Sequence, residues 1–141
     1  RGLWARATGL IHSVDISTLP YPGVATDYKP LLLTLLCKGD GSATVTENVF
    51  IAGRFRYVEE LRKLGAKIST MEHHAMVTGC PRLVGAPVIA HDIRAGAALV
   101  VAGLGAEGTT AISGVEHIFR GYDRLPEKLS ALGARIELVA D

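Results

Sequence analysis

The sequence is poor in cysteine. Only Cys37 and Cys80 occur among 141 residues, and neither has a second Cys or His at metal-ligand spacing. That argues against a disulfide framework or a structural zinc site. Both read as reduced thiols in a reducing compartment. An excess of charge of one sign is also lacking: 15 Lys and Arg face 14 Asp and Glu, a net of +1. This balance argues against a nucleic-acid binder of the usual basic kind. Long apolar runs are missing. The longest, Leu31–Leu33 with Leu35–Leu36, falls far short of the roughly 20 residues that span a bilayer, so no membrane partner is expected. No basic segment followed by an apolar one opens the chain, so no export signal is read and a cytoplasmic location is expected. The chain starts at Arg1 rather than Met and reads as a piece of a longer protein. There is no Walker-type phosphate loop, no dinucleotide fingerprint after a strand, and no nucleophile elbow. Gly103-Leu-Gly105 falls inside or at the end of a helix. No metal and no cofactor are expected.

What is present is an apolar, ordered chain, 48% hydrophobic and 21% charged. At this length one core forms without staples, since such a domain buries roughly 68–70% of its unfolded surface. The most informative feature is an internal repeat. Arg62-Lys-Leu-Gly-Ala-Lys-Ile68 is echoed by Ser130-Ala-Leu-Gly-Ala-Arg-Ile136. Gly39-Asp-Gly-Ser-Ala-Thr-Val45 is echoed by Ala106-Glu-Gly-Thr-Thr-Ala-Ile112, and Thr26-Asp27 by His91-Asp92. The spacing is nearly constant, so residues 1–141 read as a single domain with one copy at about 12–80 and another at about 86–139.

Each copy places an Asp directly before an apolar stretch. Asp27 precedes Tyr28–Lys38, with Pro30 in the first turn, and Asp92 precedes Ile93–Ala106. An Asp there accepts the N–H bonds that a first helical turn leaves open. Both stretches are apolar nearly all round and predict buried helices, ended by Gly39 and Gly41 in one copy and Gly108 in the other. Strands Ser42–Val49 and Thr109–Ser113 follow. Amphipathic helices come next, over Phe55–Leu64 and Tyr122–Leu132, with apolar residues three and four apart. Leu64-Gly65 and Leu132-Gly133 stop them. Strands Lys67–Thr70 and Arg135–Val139 close each copy, and in the first Glu72-His73-His74 turns into Ala75–Thr78. The unit is β-α-β-α-β-β, which predicts an α/β or α+β layered fold.

The chemistry-bearing residues coincide with the repeat. Asp27 and Asp92 head the two buried helices, Arg94 follows Asp92, and Arg54 and Arg120 are expected at the starts of the amphipathic helices. Copies packed side by side would bring these to one end of the layer. Helix N-termini pool partial positive charge and free N–H donors. Arginines there recognise phosphate or carboxylate bidentately, and aspartates beside them take or give protons. The composite predicts a site for a small polyanion flanked by acid/base groups. The blander readings are a plain helix cap for each Asp, solvated surface for each Arg, a solvated turn for His73-His74, and core for Cys37. Cys80 has no base or helix N-terminus beside it, and His91 is a weaker acid/base candidate.

Several motifs resemble those of the UDP-N-acetylglucosamine enolpyruvyl transferases, in the family's order from about Val14 onward. They are Pro20-Tyr-Pro-Gly23 with Thr26-Asp27, Thr46-Glu-Asn-Val-Phe50 with Arg54-Phe55, Asp92-Ile-Arg94-Ala95, and His117-Ile-Phe-Arg-Gly-Tyr122. The Thr-Glu-Asn-Val-Phe stretch with its following Arg-Phe separates the chain from the sister 5-enolpyruvylshikimate-3-phosphate synthases. The resemblance implies an inside-out α/β barrel of β-α-β-α-β-β repeats. It also implies transfer of the enolpyruvyl group of phosphoenolpyruvate to the 3′-hydroxyl of UDP-N-acetylglucosamine in peptidoglycan synthesis. By motif, Asp27 matches the general base and Val49 and Phe50 the nucleotide-sugar contact. Arg54, Asp92, Arg94 and Arg120 match active-site positions, with Arg120 on the phosphoenolpyruvate side. The family has Phe-Pro at Val24-Ala25, Gln at Lys29, Thr or Ser at His91 and an acidic residue at Phe119. Its reactive loop Cys and substrate Lys match nothing here, which implies a missing N-terminal partner domain and an inactive fragment. The alternatives are a paralogue with another hydroxyl acceptor, or a non-catalytic binding or scaffold domain.

Overall fold

The computed structural model describes residues 2, 4–6, 9–50 and 54–139. The first copy runs β1 (Ile16–Ser17), a 3-10 turn at Thr26–Tyr28, α1 (Lys29–Leu36), β2 (Ser42–Thr46), α2 (Val58–Lys63), β3 (Lys67–Met71) and β4 (His74–Thr78). After β5 (Leu83–Val84), the second runs β6 (Pro87–Ile89), α3 (Ile93–Leu104), β7 (Ala106–Glu107), β8 (Ala111–Ser113), α4 (Glu116–Phe119) and α5 (Leu125–Ala131). The two copies open alike. β1 pairs in parallel with β2, Ile16 opposite Val45, across the crossover helix α1. β6 pairs in parallel with β8, Val88 opposite Ile112, across α3. Parallel neighbours need such a crossover.

The first copy then completes the expected unit. β2 and β3 both pair antiparallel with β4, giving the order β1-β2-β4-β3. The second copy departs from expectation, because residues 134–139 form no strand. A strand needs a ladder partner. His74–Thr78 supplies one in the first copy, and among the described residues no strand plays that part in the second.

Helix boundaries differ for local reasons. α2 starts at Val58 rather than Phe55, because Arg54 stands in left-handed backbone at φ 50°. α5 starts at Leu125 rather than Tyr122. Pro126 sits in its first turn and has no N–H to give Tyr122, and Arg124 is left-handed at φ 46°. Both helices end as predicted, with Gly65 at φ 89° and Gly133 at φ 96° just past the last turn. α3 ends at Leu104 with Gly105 as its C-cap, short of Ala106, which joins β7.

The main core lies between the four-stranded sheet and the helices. Ala43 and Val45 of β2 and Ala75 and Val77 of β4 alternate inward. They meet Leu33 and Leu36 of α1, Val58 and Leu61 of α2, and Ala95, Leu99 and Ala102 of α3. α3 is buried from Ala95 to Val100. Its Gly96 lets α4 approach, since a Cβ there would stand 2.4 Å from Ile118 Cγ1. Both crossover helices keep some apolar surface in solvent, at Leu35 and Val101. Among the described residues no helix is long and apolar enough to cross a membrane.

Candidate active site

α1 and α3 pack against each other, and their N-termini open on one cleft of about 320 Å³. Thr26, Asp27, Lys29 and Pro30 line it from the first copy, and Asp92 and Arg94 from the second. Arg54, Arg56 and Tyr57 close it from the segment before α2. The same-polarity packing expected from the repeat therefore brings Asp27, Arg54, Asp92 and Arg94 together.

The two aspartates do different jobs. Asp92 caps α3 as predicted. Its backbone is extended, and its Oδ1 accepts from the N–H groups of Arg94 and Ala95, each at 2.9 Å. Asp27 does not cap α1. It lies inside the 3-10 turn, and Tyr28, with helical dihedrals and no side-chain capping bond, precedes the helix. With its carboxylate turned away from the helix N–H groups, Asp27 meets Arg94 instead. Arg94 Nε lies 2.5 Å from Oδ1, and Nη2 donates to Oδ2 at 3.0 Å. This fork holds Arg94 above its ordinary pKa, through the hydrogen bond to Asp27 against a smaller desolvation. Both side chains are about half exposed, so the bridge itself adds little stability. It separates the cleft from a second hollow of about 310 Å³, lined by Tyr28, Leu31, Ile93, Gly121 and Tyr122.

Neither arginine expected at a helix start is at one. Arg54 precedes α2, where its guanidinium lies 3.5 Å from the centre of the Phe50 ring. Arg120 follows α4 as its C-cap, where a cation suits the pole of a helix better than at its start. Its exposed side chain lines neither hollow, although Gly121 and Tyr122 beside it line the second. Val49 and Phe50 also lie outside the cleft lining, next to Arg54. His91 stands 3.6 Å from Glu60 Oε1, outside both linings. His73, in the turn, and His74, at the start of β4, hold their rings 4.1 Å apart at 40°, and no three potential metal ligands cluster among the described residues. Burial pushes the Cys37 thiol up to about 12, which leaves it protonated at neutral pH.

The sequence reading passed over Arg56, Tyr57 and, above all, Glu47. Glu47 follows β2 and is fully buried with Lys29, whose Nζ stands 2.6 Å from Oε2. Thr18 donates to Oε1 and Thr26 to Oε2, each at 2.7 Å. The N–H groups of Val49 and Phe50 donate to Oε1 at 2.9 and 3.3 Å. That capture of N–H groups ends β2 at Thr46 instead of Val49. Burial alone would raise the Glu47 pKa, but the bonds from Lys29, Thr26, Thr18 and Val49 outweigh it and lower it to about 2. Burial lowers the pKa of Lys29 against the attraction of Glu47, and the ammonium lies 4.2 Å from the centre of the Phe55 ring. Periodicity gives no sign of such a pair; a carboxylate just after a strand and a lysine in the first turn of a buried helix are the only hints. Burial also raises the pKa of Tyr57, whose hydroxyl finds no partner among the described residues. Chemically, the cleft offers a carboxylate that takes a proton beside guanidinium groups that hold anionic oxygens.

Residues 6–129 match the EPSP synthase (3-phosphoshikimate 1-carboxyvinyltransferase) family. The chain is 49% identical over 140 residues to UDP-N-acetylglucosamine 1-carboxyvinyltransferase 1 of Carboxydothermus hydrogenoformans, covering 98% of this chain and 33% of that protein. It is 52% identical over 127 residues to UDP-N-acetylglucosamine 1-carboxyvinyltransferase of Nocardia farcinica, covering 90% of this chain and 30% of that protein. Among solved structures, the enolpyruvyl transferase NikO from Streptomyces tendae superposes with a TM-score of 0.83 at 32% identity, over 93% of this chain and 30% of that one. EPSP synthase from Acinetobacter baumannii superposes at 0.70 with 20% identity, over 79% and 27%, a likeness of fold. The chain thus spans about a third of the length of the curated relatives it matches.

Proposed function

The chain belongs to the EPSP synthase family, and on that premise we propose that it is part of an enzyme acting on UDP-N-acetylglucosamine. The complete enzyme transfers the enolpyruvyl group of phosphoenolpyruvate to the sugar's 3′-hydroxyl, the first committed step of peptidoglycan synthesis, in the cytoplasm. Residues 1–141 form most of one domain of an inside-out α/β barrel. The remaining walls of the cleft, with the loop cysteine and the substrate lysine, come from the rest of the protein. The names carried by relatives at about half identity support the acceptor. The observation that carries the reading is the meeting of Asp27 and Arg94, one from each copy, in a cleft rich in cations.

In this reading the 3′-hydroxyl oxygen bonds to the central carbon of phosphoenolpyruvate, the carbon–oxygen bond to phosphate breaks, and the hydroxyl proton is taken up by Asp27. An alcohol is a weak nucleophile until its proton is shared, so a positioned carboxylate suits the step. Arg94 and Arg54 hold the phosphate and carboxylate oxygens, and Arg120 is assigned to the phosphoenolpyruvate side by its motif. Val49 and Phe50 meet the nucleotide sugar. Asp92 keeps the N-terminus of α3 in place beside the transferred group. Arg94 bonds both Asp27 oxygens, so an anion that draws Arg94 away frees the base. The test is phosphate release by the complete protein, with UDP-N-acetylglucosamine compared against other sugar and nucleotide hydroxyls. Release with UDP-N-acetylglucosamine alone is expected. Release only with a different acceptor would point to a paralogous activity, and release with none would end the enzymatic reading.

A further inference from the structure

The Glu47–Lys29 pair is buried from solvent, with Lys29 but not Glu47 in the cleft lining, and both the Asp27 turn and the Val49–Phe50 segment hang from it. Oε2 of Glu47 holds Thr26, the neighbour of Asp27, and Lys29, at the start of α1. Oε1 holds the N–H groups of Val49 and Phe50 and the hydroxyl of Thr18, which itself accepts from the N–H of Asn48 at 3.0 Å. Lys29 then covers the Phe55 ring, next to Arg54, whose guanidinium covers Phe50. One carboxylate therefore sets the distance between the turn that presents Asp27 and the strand end that presents Val49 and Phe50. An ion pair buried this deeply is seldom a source of net stability, because desolvation offsets the attraction. What it does supply is a directional anchor satisfied in one arrangement only.

We propose that the buried Glu47–Lys29 pair is a positioning device for the transfer reaction, holding the Asp27 turn and the Val49–Phe50 segment in one register. The inference rests on the reading given under Proposed function. The bound hydroxyl and its base come from different segments, and an error of about 1 Å between them costs about 100-fold in rate. Glu47, which lines neither hollow, acts through Thr26, Val49 and Phe50, and Lys29 acts through its bond to Glu47.

The test uses the complete protein and measures phosphate release, with kcat and each KM, alongside thermal melting. Thr26→Val removes one hydroxyl bond to Glu47 and keeps the shape; Thr26→Ser keeps the bond. The double substitution Lys29→Gln with Glu47→Gln replaces the ion pair by amides and leaves no buried charge. Thr26→Val is expected to lower kcat several-fold and the double variant about 10- to 100-fold. Both should keep the KM for phosphoenolpyruvate and the melting temperature, and Thr26→Ser should stay near wild type. Thr26→Val at the wild-type kcat would overturn the proposal, as would a kcat loss in either variant that merely follows the loss of folded protein. If the double variant does not fold, the comparison of Thr26→Val with Thr26→Ser decides. The two readings fail separately: activity of the unsubstituted protein reports on the reaction, and the ratio of variant to wild type reports on the pair. A wild type inactive with every acceptor would overturn both.

Discussion

Asp27→Asn in the complete protein is expected to lower turnover by roughly 10²–10⁴ while the fold persists, the usual cost of losing a positioned acid/base group. The amide matches the carboxylate in size and retains one oxygen for Arg94, but it cannot accept the hydroxyl proton. Stability should hardly change, because the Asp27 side chain is 52% exposed, caps no helix and belongs to no core cluster. Phosphate-release kinetics with a parallel urea melt would check both halves. Near-normal turnover would remove Asp27 from the mechanism, and a collapse of the melt would make it a structural residue.

Glu47→Ala is expected to have the largest effect on stability, about 3–5 kcal/mol at neutral pH. The substitution strands the Lys29 ammonium in the interior and leaves the hydroxyl of Thr18 and the N–H of Val49 without their acceptor. The midpoint of a urea melt of the complete protein should fall by about 1 M or more. The same carboxylate gives the wild type an acid limb. Its pKa is depressed on folding, from 4.5 to about 2. Its stabilising contribution is therefore whole above pH 4.5 and is lost as the pH falls toward 2. Glu47→Ala should flatten that limb. An alanine variant that melts at the wild-type midpoint, with its acid limb unchanged, would contradict the buried-pair account.

Much of the first copy was legible in the sequence because local signals agreed with tertiary packing. Apolar spacing with a Leu-Gly stop placed α2, as it placed α5 in the second copy, and β2 and β4 were expected after the buried helix and after the Glu72–His74 turn. Asp92 capped α3 because its extended backbone leaves the side chain facing open N–H groups. Asp27, in the same place in the repeat, did not, because a 3-10 turn precedes α1 and turns its carboxylate toward Arg94. Nothing in the local sequence distinguishes these two outcomes. Arg54 and Arg120 were misplaced for a related reason: left-handed backbone at Arg54 and Arg124, together with Pro126, shortened helices that periodicity had drawn longer. The strand expected at Arg135–Val139 lacked a partner. Lys29 and Glu47 pair only through the fold, which is why no local signal marks the pair. That the two copies aim their helix starts into one cleft followed from the duplication itself.

The most direct measurement is a crystal structure of the complete protein with UDP-N-acetylglucosamine bound. The account predicts the 3′-hydroxyl within about 2.6–3.2 Å of the Asp27 carboxylate, with Arg94 at the mouth of the same cleft. A nucleotide sugar bound with that hydroxyl far from Asp27, on a surface reached by neither α1 nor α3, would contradict it.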